Sequence, residues 1–397
     1  MSLILGMDTG GTYTDGVVFD GDTNRILCKA KALTTHEKLS NGIAACIGRL
    51  DKDRFSDIDL VCISTTLATN SIVEDRGAKV GLITIGADTA NKNYYADVSI
   101  PIAGRVDIKG MEIEPVDKQE IKDALNLMKE HIETLAVSGF ASVRNPEHEL
   151  FVKSVAKEIL NVPVVCGHEL TSSLGYDERT TTAVLNAKLI SVTKELVHET
   201  KEIMKQENID AQIMIVKGDG HLMTDVYAEE RPVDTIMSGP AASAIGGTFL
   251  VNENNAVIID VGGTTTDIAD MNDGEISLKE EGAVVGNRHT RVKAIEMHTY
   301  GLGGDSYLKV DRNNNIVFGP QRVVPICVAA HADPIIINEL YKYKNEKRHI
   351  ATETLNTDCV RLLRHPKKEY MSRQDERIIG LLAESAHSIF YLADKIG

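Results

Sequence analysis

Eight residues near the start of the chain, Asp8-Thr9-Gly10-Gly11-Thr12-Tyr13-Thr14-Asp15, return later as Asp260-Val261-Gly262-Gly263-Thr264-Thr265-Thr266-Asp267. The leading Asp, both Gly, two of the Thr and the closing Asp keep their order in the two copies. Adjacent glycines let backbone N–H groups approach a ligand with no Cβ in the way. The threonines add hydroxyl donors, and a carboxylate at a strand end can hold a hydrated divalent cation. An N–H-rich turn, hydroxyls and a metal-binding carboxylate together suit a polyphosphate. One such turn is common punctuation between strands. Two copies suggest related halves whose loops face each other and hold one phosphate tail from both sides.

The elements around the turns follow from hydrophobic pattern. Leu3-Ile4-Leu5 precedes the first copy and Val257-Ile258-Ile259 the second. Apolar residues and a turn follow each, so each reads as a β-hairpin. Residues 37–49 carry apolar side chains at helical spacing. Residues 60–63 form a buried strand that runs into the hydroxyl-rich Ser64-Thr65-Thr66-Leu67-Ala68-Thr69-Asn70-Ser71. A helix follows to Arg76, with Gly77 as its C-cap. Strands and helices then alternate to Cys166, which implies an α/β layer. A long helix opens at Gly175-Tyr176-Asp177-Glu178-Arg179 and runs to about Asn208, the expected hinge between halves. A strand ends in Lys217-Gly218-Asp219-Gly220-His221. Ser238-Gly239-Pro240-Ala241-Ala242 starts a small-residue helix to Leu250. Val292 to Met297 reads as a strand leading to the glycine loop Tyr300-Gly301-Leu302-Gly303-Gly304-Asp305-Ser306. Beyond Ala330 the pattern reads as helices.

Composition narrows the class. A chain of 397 residues is expected to form two domains. A net charge of −15 argues against a nucleic-acid or anionic-membrane surface. Cys28, Cys46, Cys62, Cys166, Cys327 and Cys359 include no Cys-x-x-Cys pair, which fits buried free thiols in a reducing compartment. His221, His289, His298 and His331 lack His-x-x-His spacing, so no zinc site is expected. The short N-terminal apolar run stops at Asp8, and no apolar stretch spans a bilayer. The expected location is the cytoplasm.

The order of hairpin, small-residue helix, hairpin and Gly-Gly loop resembles the actin-like ATPase superfamily. Within it the chain is most similar to the A-type members of the hydantoinase/oxoprolinase family. The resemblance rests on residues 8–15, Thr65-Thr66-Leu67-Ala68-Thr69-Asn70, residues 176–186, Ser238-Gly239-Pro240-Ala241-Ala242 and residues 260–267. It implies two duplicated actin-like (ribonuclease H-like) α/β domains with a cleft between them, over residues 1–188 and 189–397. The chain departs from the family pattern at Ile63-Ser64, where His-Gly is common, at Lys217-Gly218-Asp219-Gly220-His221, and at Asp305. The family's large C-terminal region is missing, so a truncated C-terminus is expected.

The resemblance further implies an ATP-dependent hydrolase that opens a cyclic amide such as a hydantoin or 5-oxoproline by phosphorylating the amide oxygen. ATP and Mg2+ are the implied cofactors. Asp8 and Asp260 are the expected magnesium carboxylates and catalytic residues. Asp15 and Asp267 are expected as a base or as groups that orient one, against a turn-capping alternative. Thr9, Gly10, Gly11, Thr12, Thr14, Gly262, Gly263, Thr264 and Thr265 are expected at the phosphates, and Gly301, Gly303, Gly304 and Asp305 at adenosine. Thr65, Thr66 and Asn70 line the substrate side or simply cap a helix. Glu178 and Arg179 form an active-site pair or a solvated one. A separate B-type protein partner is implied, and a homo-oligomer is left open.

Three rivals share the motifs. An ATP-driven protein activator or switch uses the same clamp. A small-molecule kinase needs a base that the sequence does not single out. A filament needs a polymer interface. A Rossmann fold is disfavoured because Gly-x-Gly-x-x-Gly is absent from both first turns.

Overall fold

The computed structural model describes residues 3–35, 38–86, 92–251, 253–310, 313, 315–343, 359–360, 362, 371–383, 387–388, 392 and 395–396. The chain divides into two compact units. The first is Met1–Ile258 with Ile268–Met297, and the second is Ile259–Asp267 with His298–Gly397.

The first unit begins with β1 (Leu3–Thr9), β2 (Tyr13–Asp20), β3 (Arg25–Leu33), α1 (Leu39–Ile47), β4 (Ile58–Thr65) and α2 (Leu67–Val73). An α/β layer follows: β5 (Val80–Ile85), β6 (Val98–Ile102), the short pair β7 (Arg105–Val106) and β8 (Glu112–Glu114), α3 (Lys118–Met128), β9 (Thr134–Gly139), α4 (Glu147–Ile159), β10 (Val164–Cys166) and α5 (Gly167–Leu170). Then come α6 (Tyr176–Gln206), β11 (Gln212–Val216), β12 (Leu222–Thr224), α7 (Asp225–Glu230) and α8 (Ser238–Leu250). The hairpin β13 (Ala256–Val261) and β14 (Thr266–Asn272) carries its turn in the second unit. The short β15 (Glu275–Ile276), β16 (Val284–Val285) and β17 (Arg288–His289) complete the first.

Two sheets organise that unit. The larger has the order β12-β11-β4-β1-β2-β3. β1, β2 and β3 pair antiparallel, while β4 and β11 run parallel to β1. This is the sheet of an actin-like domain. Leu3, Leu5 and Met7 alternate inward along β1, as a half-buried strand requires. They meet Ile43, Cys46 and Ile47 of the amphipathic α1. The smaller sheet, β10-β9-β5-β6, is wholly parallel. Every residue of β5 and β9 is buried, the mark of a sheet covered on both faces.

Helix α6 joins the two cores. Its 31 residues reach about 46 Å at 1.5 Å per residue. Ala183, Val184 and Ala187 in its first half pack on Val80, Leu82 and Ala136 of the small sheet. Leu196, Val197 and Met204 in its second half join the core of the large sheet.

The second unit holds β18 (His298–Tyr300), which pairs with β14, and the hairpin of β19 (Ser306–Val310) and β20 (Ile316–Arg322). Helices α9 (Ile326–Ala332) and α10 (Ile335–Tyr343) follow, then β21 (Cys359–Val360), α11 (Arg373–Leu382) and β22 (His387–Ser388). No helix among the described residues is long and apolar enough to cross a membrane.

Four local expectations are corrected. Helix α2 ends at Val73 rather than Arg76, because Asp75 takes the left-handed conformation (φ 56°) and Arg76 N–H closes onto Ser71 O at 2.8 Å. Residues 292–297 form no strand; only Ile295 bridges Leu278. The region beyond Ala330 includes the β21–β22 pair as well as helices, and residues 344–358 lie outside the described residues. Of the cysteines, Cys46 and Cys166 are buried, but Cys28 and Cys62 are half-buried and Cys327 is exposed.

Candidate functional site

The two glycine turns close in the same way. In the first unit Gly10 N–H donates to Tyr13 O at 3.0 Å, and in the second Gly262 N–H donates to Thr265 O at 2.9 Å. A Cβ on Gly10 would stand 3.2 Å from Tyr13 O, and one on Gly262 would stand 3.3 Å from Thr265 O. A Cβ on Gly11 or on Gly263 would meet nothing within 4 Å. The loop residues Gly11, Thr12, Gly263 and Thr264 are all exposed. Each turn therefore presents a bare glycine to solvent on a fixed frame, which is what an anion cradle needs. At the root of the first turn, Thr9 Oγ1 is buried without a hydrogen-bond partner.

A row of polar side chains crosses the large sheet beneath the first turn. Ser64, Asp8, Asp15 and Lys31 stand opposite one another on β4, β1, β2 and β3. Ser64 Oγ donates to Asp8 Oδ1 at 2.5 Å, and Lys31 Nζ lies 3.0 Å from Asp15. Like charges directly opposite repel. The hydroxyl on one flank and the ammonium on the other hold the two carboxylates side by side.

The end of β4 and the start of α8 pack against this row. Thr65 N–H donates to Ser238 Oγ at 3.2 Å, and Ser238 Oγ donates back to Thr65 O at 2.8 Å. Thr66 Oγ1 donates to Thr9 O at 3.3 Å and accepts from Asn70 Nδ2 at 3.2 Å. Thr65 Oγ1 accepts from Leu67 N–H. The hydroxyls of Thr65 and Thr66 thus lock the strand end to the first turn and to the α2 start. A Cβ on Gly239 would stand 3.9 Å from Asp8 Oδ1, so the positive end of α8 faces that carboxylate. Met237, just before α8, holds φ at 65°, a conformation costly for a non-glycine residue. Met237 is not singled out by the sequence; its only signal is its position before the Ser238 motif.

In the second unit Asp267 accepts from Thr299 Oγ1 at 2.6 Å. Burial and the neighbouring Asp260 carboxylate push its pKa up, against the opposing pull of Thr299. Thr266 Oγ1 donates to Leu302 O, just as its counterpart Thr14 bonds Thr34 in the first unit. Both threonines point into the protein. The glycine loop packs on the turn: a Cβ on Gly303 would lie 2.5 Å from Gly263 O. Gly304 N–H donates to Gly262 O, and Asp305 N–H to Gly263 O. Asp305 pairs with Arg322 at 2.6 Å, and Arg322 also donates to Thr264 O. Gly301 faces open space.

Glu178 and Arg179 part company. Glu178 lies 3.5 Å from Arg291. Arg179 is wholly buried and donates to Gly139 O and Phe140 O at 2.7 and 2.8 Å. Burial pulls its pKa down, and the Glu149 carboxylate pulls the other way. Glu149, also fully buried, accepts from Gly139 N–H and from His168 N–H, and lies 2.5 Å from His168 Nδ1. Through their separate bonds to Gly139, Glu149 and Arg179 tie α4, β9 and α6 together.

Two family models match the chain. "Hydantoinase/oxoprolinase N-terminal region" matches residues 4–160, and "Hydantoinase/oxoprolinase" matches residues 179–337. The chain is 29% identical over 364 residues to the alpha subunit of caprolactamase from Pseudomonas jessenii, covering 83% of this chain and 51% of that protein. It is 27% identical over 365 residues to the gamma subunit of acetophenone carboxylase from Aromatoleum aromaticum, covering 80% and 49%. The crystal structure of the ATP-dependent caprolactamase from Pseudomonas jessenii matches with a TM-score of 0.65 at 28% identity, over 80% of this chain and 51% of that one. The chain spans about half the length of these relatives.

Proposed function

The chain belongs to the hydantoinase/oxoprolinase family, and from that premise we propose that it uses ATP to open a cyclic amide. The observation that carries this reading is the twin turn. Both copies close through the same hydrogen bond and leave the same glycine bare. Such a frame is made for the phosphates of a nucleotide, and the ATP-dependent caprolactamase is a relative whose substrate is a cyclic amide.

In the proposed reaction the amide oxygen attacks the γ-phosphorus. An O–P bond forms, the bond to the β-phosphate oxygen breaks, and ADP leaves. Water then adds to the activated carbon, and loss of phosphate and ring opening give the amino acid. Phosphoryl transfer of this kind rests on positioning and charge neutralisation. The N–H groups of Gly11 and Thr12, and of Gly263 and Thr264, would meet the phosphate oxygens. Magnesium would supply positive charge at the β- and γ-phosphates. The donor set in the first unit suits it, since two facing carboxylates, Asp8 and Asp15, are relieved by a bound cation. Asp8 is the carboxylate we assign to a metal in the first unit, and Asp260 is its counterpart in the second. Asp267, whose pKa burial and the Asp260 carboxylate push up, is the better placed of the two closing aspartates to take up or return a proton.

Both named relatives are themselves subunits. We therefore propose a B-type protein partner, and a cytoplasmic setting. The test is ATP hydrolysis by the chain, alone and with a panel of hydantoins, lactams and 5-oxoproline. Stimulation by a cyclic amide supports the reading. Stimulation by a ketone and bicarbonate instead would move the chain to the carboxylase side of the family, and stimulation by a protein alone would favour the switch.

A further inference from the structure

The loop Lys217-Gly218-Asp219-Gly220-His221 has no part in the nucleotide reading. It forms one wall of a cleft of about 320 Å3 in the first unit. Ile215 stands opposite Ile63, so the chain leaves β11 level with Thr65, at the carboxyl edge where α/β sheets place ligands. The loop is tightly seated: a Cβ on Gly218 would fall 2.1 Å from Ile236 O.

The cleft is cationic in a chain whose net charge is −15. Lys217, Arg231, Lys279, Arg291 and Lys293 line it, against Asp219, Asp234 and Glu280. The pairing is uneven. Lys217 is matched by Asp219 at 3.0 Å, and Arg231 by Asp234 at 3.2 Å. Arg231 is further fixed by the carbonyls of Glu169 and Leu170. Arg291 has only a 3.5 Å contact to Glu178, and its Nε is buried without a partner. Lys279, half-buried, and Lys293 have no ion pair among the described residues, although Lys279 N–H holds their two segments together through Ala294 O. The hydroxyl residues Ser172 and Ser173 complete the rim.

We propose that this cleft binds a small oxyanion of one or two negative charges, a carboxylate or a phosphate, between Lys279, Lys293 and Arg291. The paired cations form the rigid frame, and the unpaired ones are the ligands. The volume admits a molecule of metabolite size. This site is distinct from the glycine turns, and its occupancy does not depend on the nucleotide assignment.

Titration calorimetry of the full chain with glutarate and with inorganic phosphate tests it, at low and at physiological ionic strength. One anion should saturate a single site, more weakly at higher salt. Whether glutarate or phosphate binds more tightly separates the two sources. The double substitution Lys279→Gln/Lys293→Gln should weaken that binding about tenfold or more, as loss of charge-assisted hydrogen bonds does. The same variant should keep its affinity for Mg-ATP, and Lys118→Gln/Lys157→Gln, far along the sequence on α3 and α4, should change neither. Failure of both anions to saturate, or binding that survives the double substitution unchanged, overturns the proposal.

Discussion

Ser64 Oγ donates to Asp8 Oδ1 at 2.5 Å, across the parallel register of β4 and β1. The hydroxyl fixes the carboxylate that we assign to magnesium, and it stands where the family commonly has glycine. Ser64→Ala should weaken Mg-ATP binding by about 1.5 kcal/mol, roughly tenfold, because one hydrogen bond to a charged group is lost. Calorimetry with and without magnesium checks this. An effect of the same size on ATP alone would mean that Ser64 serves the turn and not the metal carboxylate.

Arg179 should matter to stability before it matters to activity. Arg179→Met leaves the carbonyls of Gly139 and Phe140 without their donor, and orphaning buried hydrogen-bonding groups costs about 1–3 kcal/mol. Arg179→Lys should not restore the loss, since one ammonium cannot replace the fork on Gly139 O and Phe140 O. Urea denaturation measures both. A variant as stable as the parent would show that Arg179 holds nothing together.

The glycine loop of the second unit separates packing from binding. Gly303→Ala should displace the second turn, because its Cβ would lie 2.5 Å from Gly263 O. Gly301→Ala meets no protein atom within 4 Å and should fold unchanged. Comparing their Mg-ATP affinities and melting temperatures distinguishes the two. Gly303→Ala should lose both, while any loss in Gly301→Ala reports contact with the nucleotide.

Asp267 sets a pH dependence with a definite sign. Its folded pKa lies above the ordinary aspartate value, so the native state holds its proton more tightly than the unfolded chain does. Its contribution is most favourable at acid pH and is lost as pH rises from the ordinary aspartate range through the raised folded value. Asp267→Asn should remove that fall. Denaturation curves over the window just above the usual aspartate range should run flatter for the variant; a steeper slope would contradict the assignment.

The twin turns were legible because their chemistry is local: Asp, two Gly and Thr in fixed order specify a hairpin wherever they fall. Ser64 was not legible as a partner of Asp8, since only the strand register brings positions 56 residues apart together. The end of α2 was misread because Asp75, an amino acid less expected than glycine, fills the left-handed position; Gly77 is needed elsewhere, as its Cβ would meet Lys188 O at 2.4 Å. Residues 292–297 alternate like a strand, but their backbone bonds go to Ala283, Lys279, Gly218 and Ser277 in turn and never form one ladder. Arg179 read as a surface charge beside Glu178 because periodicity does not reveal that its neighbours are carbonyls of a buried loop.

The central claim is that each glycine turn binds nucleotide phosphate. Gly11→Ala and Gly263→Ala test it most directly, because a methyl at either place touches no protein atom within 4 Å. Calorimetry should show Mg-ATP binding weakened about tenfold or more by each substitution alone, with melting temperatures unchanged. Full affinity in either variant would contradict the account.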